Sequence, residues 1–168
     1  MIFCLTTLAQ TNKNIGKRQT DNSNLKIDTS KIAIIPFDTV QNWIFKKALP
    51  ADLTSDDLLA IETLFTNCID EYNVEKEKEY LKMKEKQPRS KLSKDFYVID
   101  AKRHKRQYIA VINDKGEKEV WINCFCNSWD RNWRKEIIGV EDGGNCFFNL
   151  KINLTLKKYY ELMVNGHA

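Results

Sequence analysis

Five cysteines and two histidines are the residues best able to do covalent or metal chemistry in this 168-residue sequence: Cys4, Cys68, Cys124, Cys126, Cys146, His104 and His167. Cys124 and Cys126 stand one residue apart in VWINCFCNSW (120–129), an alternating apolar run that reads as a β-strand. Thiolate zinc sites use C-x₂₋₄-C knuckles, whose turn aims both sulfurs at one ion. In an extended strand, two rises of about 3.3 Å would hold the sulfurs about 7 Å apart, too far for easy chelation, so no metal is expected. A redox dithiol calls for C-x-x-C at a helix start, where the dipole lowers a thiol pKa, and that context is missing. The carboxylate pairs Asp56–Asp57 and Glu141–Asp142 fit helix-cap and turn chemistry. Neither GxGxxG nor GxxxxGK occurs, so no phosphate cradle and no cofactor is indicated.

The elements that carry the sulfurs set their direction. Over 117–127, Val120, Ile122, Cys124 and Cys126 share one strand face, and Trp121, Asn123 and Phe125 share the other. Over 146–154, Cys146 aligns with Phe148, Leu150, Ile152 and Leu154. The clearest helix precedes both: in TSDDLLAIETLFTNCIDEYN (54–73), Leu58, Ile61, Phe65, Cys68 and Tyr72 recur at spacings of four and three. Thr54 and Asp57 there form a variant of the capping box. Cys68, Cys124, Cys126 and Cys146 are therefore expected to face one interior between helix and sheet, away from both imidazoles. They read as small buried residues, present as one or two disulfides or as free thiols. A thiol nucleophile working with His104 or His167, as in a Cys-dependent hydrolase, is an alternative.

The length suits one domain. With 27 basic and 23 acidic side chains the net charge is only +4, which gives no strong pull toward nucleic acid or anionic lipid. No apolar run reaches the ~18 residues of a transmembrane span. Residues 1–10, MIFCLTTLAQ, are apolar and uncharged; they read as a short signal segment with Thr7 and Ala9 as the small cleavage-site residues, although the usual basic n-region is absent. Removing it leaves four cysteines, an even set in a periplasmic or secreted chain where disulfides persist. If the segment is not a signal, the chain is cytoplasmic and the four are thiols. Residues 11–30 form a polar leader too poor in apolar surface to order itself, and 31–168 form the domain.

Within that domain KIAIIPFD (31–38) reads as a short strand whose Pro36 implies an edge. Asp38 can cap a brief helix through Val40, Trp43, Ile44 and Lys47. After residue 73, alternating Glu and Lys give a solvated face or linker that Pro88 ends. Six β-rich segments follow: 96–103, 106–114, 117–127, 135–140, 146–154 and 157–166. NDKG (113–116) supplies a hairpin turn with Gly116 at positive φ. A helix followed by a meander predicts an α+β fold, one long amphipathic helix packed on a curved antiparallel sheet in a cystatin-like or nuclear-transport-factor-like arrangement.

Trp121 and Phe125 lie on the face opposite the cysteines, and Trp129 and Trp133 follow in the next loop, one helical turn apart. Together they form a candidate aromatic contact patch, unless the N-terminal strand or the loop NSWDRNWRKE (127–136) folds over that face. AKRHKRQY (101–108) interleaves basic residues with aromatic ones and would suit phosphates and stacked bases. The nearly balanced charge argues against a polynucleotide partner.

The segments QYIAVINDKGEKEVWINCFC and VEDGGNCFFNLKINLTLKKYYELMVNGHA resemble small exported proteins of gram-negative bacteria that have no assigned function. Those proteins close with a DGG…YF strand and a final VNG-A strand, matched here at 142–148 and 164–168. The resemblance implies export and carries over no catalytic residue. The expected function is that of an exported, non-enzymatic module binding a protein or a cell-envelope component, with the hydrolase and nucleic-acid readings as alternatives.

Overall fold

The computed structural model describes residues 27–128 and 132–166. The apolar segment 1–10, most of the polar leader, Trp129 and His167 lie outside the described residues.

Helix α1, Ser55–Lys86, starts as its capping box requires. The Thr54 hydroxyl accepts from the Asp57 amide at 3.2 Å, and the Asp57 carboxylate accepts from the Thr54 amide at 2.8 Å. Lys118 then donates to the same carboxylate at 2.8 Å, fastening the helix start to the sheet. Ile61, Phe65, Cys68 and Ile69 are its buried residues. The Glu/Lys-rich half continues the same helix on exposed pairs such as Lys76–Glu79 and Lys78–Glu75, each of little energetic weight. It is braced by the returning chain, with the Tyr97 ring 5.6 Å from that of Tyr80.

The helix lies against a six-stranded mixed sheet that is not closed into a barrel. Four strands form an antiparallel meander: β3 (Lys105–Ile112), β4 (Lys118–Phe125), β5 (Phe147–Asn153) and β6 (Lys158–Val164). The β3–β4 turn is the expected one, with Gly116 at φ +77° and Asn113 Oδ1 accepting from the amides of Lys115 and Glu117, both at 2.9 Å. The outer edge of β3 carries β1 (Ile32–Ile34) and β2 (Leu49–Pro50) one after the other. β1 runs parallel to β3, so the sheet is not wholly antiparallel as expected. Its return connection contains α1, and such a crossover brings the chain back in the same direction.

Both faces of the central strands are covered. Tyr108, Val120, Ile122, Cys124, Phe148, Leu150 and Ile152 meet the helix. On the other face Ile109, Val111 and Trp121 are covered by Ile35, Phe37, Ile44 and Phe45, while Phe125 and Phe147 pack with Ile138. The alternation read along β4 is the one that sorts its side chains between these two layers.

Two expected strands are absent, and side-chain hydrogen bonding gives the reason. Over 96–103 the chain makes 3₁₀ turns at Lys94–Phe96 and Ala101–Arg103. Asn73 binds the amide of Ile99 at 2.7 Å and its carbonyl at 2.8 Å, and Asp100 accepts from the Lys102 amide at 3.1 Å. These are groups a ladder would have needed. The segment 135–140 is likewise not a strand. Gln107 and Asn123, buried on the outer face, bond the backbone of Trp133, Glu136 and Ile138 instead of leaving it to a neighbouring strand.

Candidate functional site

The sulfurs divide into two kinds. Cys124 and Cys68 are free and buried between sheet and helix, as their faces predict. Burial, then the Glu71 charge, pushes the Cys68 thiol up to about 11. Burial pushes the Cys124 thiol higher still. Both stay protonated near neutral pH and so lack the thiolate a nucleophile needs. Cys126 and Cys146 instead lie at disulfide distance, with their Cα atoms 5.1 Å apart. The inward orientation expected for this pair is corrected: Cys126 is exposed and Cys146 half-buried. The strand alternation stops where β4 ends at Phe125, and Cys146 closes a 3₁₀ turn, Gly144–Cys146, before β5 begins. Gly143, at φ +95°, precedes that turn, and a Cβ there would stand 2.6 Å from the Phe147 ring.

His104 is also not in an open basic turn. It is 4% exposed and shares a recess of about 200 Å³ with Cys126 and Cys146, so the expected separation of these two sulfurs from His104 is corrected. Its Nδ1 lies 2.8 Å from the Asp100 carbonyl oxygen and its Nε2 3.0 Å from that of Asn145. Burial holds the imidazole below its ordinary pKa against the pull of both carbonyls. The neutral ring carries a single N–H and so donates to one of these two carbonyls, and the sulfurs beside it lie at disulfide distance from each other. Native protein treated with iodoacetamide at neutral pH is expected to leave Cys68 and Cys124 unlabelled until denaturation; rapid labelling of either, mapped by mass spectrometry, would restore the thiol-enzyme reading.

The basic cluster 101–108 turns inward at Arg106. The Arg106 guanidinium donates to Glu62 at 2.5 Å and to the Tyr108 hydroxyl at 3.3 Å, while Tyr108 donates to the same Glu62 oxygen at 3.1 Å. The Arg106 Nε is buried without a hydrogen-bond partner among the described residues, but the guanidinium lies 4.6 Å from the Phe65 ring centroid, a cation–π contact that offsets part of this cost. This cluster borders a cavity of about 620 Å³ between α1 and residues 99–106. With Arg106 and His104 both buried, the cluster does not present a continuous basic surface.

On the outer face, the expected aromatic patch is largely covered. Trp121 is 4% exposed and Phe125 fully buried, Trp133 is half-buried against Phe125, and Trp129 lies outside the described residues. Segment 33–45 covers Trp121, and Trp133 and Ile138 cover Phe125, so neither ring is offered to a partner. Among the described residues the exposed indole is Trp43, at 66%, standing edge-on to Trp121 with 5.5 Å between ring centroids. The expected cap at Asp38 forms around a short turn, Thr39–Gln41, which ends before Trp43. In the sequence Trp43 reads as one apolar position of a brief helix, so its exposure could be suspected only from the lysines that follow at 46 and 47.

Trp43 lines two recesses, one of about 490 Å³ and one of about 240 Å³. The larger holds a connected polar network. Glu119, 8% exposed, accepts from Asn153 and from the Tyr160 hydroxyl, each at 2.9 Å. Asn153 also donates to Glu117 at 2.8 Å. Burial, then the Glu119 carboxylate, raises the Tyr160 phenol, which keeps it a proton donor. Lys151 pairs with Glu161 at 2.8 Å and lies 5.1 Å and 5.9 Å from the ring centroids of Phe45 and Tyr160. Among the described residues no group of three or more His, Cys, Asp and Glu side chains is placed to hold a metal ion, and no helix is long and apolar enough to cross a membrane.

Comparisons of the chain with protein-family models, with characterised proteins and with solved structures return no match.

Proposed function

We propose that the chain is an exported, non-enzymatic binding module that takes a protein or a cell-envelope component against the outer face of its sheet. The exposed Trp43 indole carries this reading. A large ring left in solvent beside two recesses is the kind of feature that binding surfaces use, since aromatic anchors supply much of the energy of recognition. The contact moves from the expected patch to the side chain that stands over it. Export is supported by the paired Cys126 and Cys146, because such bonds persist in oxidising compartments, and by the resemblance of the C-terminal half to exported proteins. The burial of His104 between two backbone carbonyls and the burial of the free thiols favour binding over thiol catalysis.

The test is co-sedimentation with a gram-negative cell-envelope fraction. Trp43→Ala is expected to lower retention about tenfold, the effect of losing roughly 1.4 kcal/mol. Equal retention of the variant and the unaltered chain would remove the outer face as the contact.

A further inference from the structure

We propose that the larger Trp43 groove binds a neutral oligosaccharide. The inference rests on the binding-module reading and names its ligand class. A pyranose ring has an apolar C–H face and a rim of hydroxyls, each both donor and acceptor. It is therefore recognised by a flat ring beside fixed polar tips, and the groove supplies both. Its volume of about 490 Å³ lies within the ~300–1,000 Å³ of small-molecule sites.

Charge narrows the ligand. The lining carries four carboxylates, Glu117, Glu119 and Glu161 among them, and four lysines, Lys151 among them, so the formal charges cancel. A balanced field gives an ionic ligand no net attraction, whereas each ionised group still makes a strong hydrogen bond to a neutral hydroxyl. The polar tips are also held before a ligand arrives: Glu119 by Asn153 and Tyr160, Lys151 by Glu161. Such preorganisation lowers the ordering cost of binding.

The edge strand is shaped to the same end. In a regular strand Tyr160 and Glu161 would point to opposite faces. In β6 the pairing slips between Asn149 and Lys151, and Glu161 takes a left-handed φ of +52°. Tyr160 and Glu161, adjacent in sequence, both line the groove as a result. A bulge that re-aims a side chain beside a recess is a known use of such irregularity.

The experiment is titration calorimetry of the full chain with a panel of uncharged tetrasaccharides of glucose, N-acetylglucosamine and xylose, beside the envelope co-sedimentation. At least one sugar is expected to bind, with an affinity that changes little between about 0.05 and 0.5 M salt. Binding should fall about tenfold in Trp43→Ala and in Glu161→Ala, and less in Trp43→Phe, which keeps a ring. Both altered side chains are exposed, and thermal melts of the variants serve as the folding control. Failure of every sugar to bind at up to about 10 mM, while envelope retention still depends on Trp43, overturns the saccharide and leaves a protein partner. Loss of both signals overturns the binding-module reading as well. Sugar binding that is unchanged in both alanine variants overturns the groove as the site.

Discussion

Replacing Arg106 with alanine is expected to cost about 3–5 kcal/mol of stability, because it strands the Glu62 carboxylate inside the protein. The two side chains are only 10% and 12% exposed, and their 2.5 Å contact is the principal compensation for burying either charge. At roughly 2–4 °C per kcal/mol for a chain of this size, the melting temperature should drop by about 6–20 °C. The partner dependence is the sharper check. Glu62→Leu combined with Arg106→Met removes both charges and should recover much of the loss. It leaves the buried Tyr108 hydroxyl without the Glu62 oxygen to which it donates, a residual cost of about 1–3 kcal/mol. Adding Tyr108→Phe should then recover that remainder. Denaturant unfolding of the single, double and triple variants measures the series; a triple variant no more stable than Arg106→Ala would show that the cluster does not act as an ion-paired unit.

Removing the Cys126–Cys146 link is expected to cost about 3 kcal/mol, the chain-entropy value for a loop of this length, since the two residues are 20 apart in sequence. The loop it closes contains Ile138, which covers Phe125 and Phe147 and whose amide donates to Gln107 at 3.0 Å. The Cys126→Ser/Cys146→Ser variant should therefore expose that amide to hydrogen exchange before the β3–β4 ladder opens, because local opening follows the weakest cooperative unit. Intact mass should rise on reduction by one pair of hydrogens. An unchanged mass on reduction, or a serine variant of unchanged stability, would refute the link.

Much of the architecture follows from local sequence. The helix start is written in Thr54 and Asp57, its stop in Pro88, and its buried face in the spacing of Ile61, Phe65 and Cys68. The β3–β4 hairpin is written in NDKG, and the sorting of β4 side chains between two layers in their alternation. Each is a short-range effect: one cap, one turn, or one period of side-chain direction.

The tertiary structure alone decided the rest, because each outcome depends on a partner far away in the chain. Segments 96–103 and 135–140 have strand-like composition, yet Asn73, Gln107 and Asn123 take their backbone groups. β1 lies parallel to β3 through a crossover that no local pattern encodes. Cys126 and Cys146 meet each other, and His104, at the ends of two strands whose alternation points elsewhere. Trp43 stands in solvent while Trp121 and Phe125 are covered. Side-chain periodicity fixes which face a residue shares, but only the packing of distant segments fixes whether that face meets water.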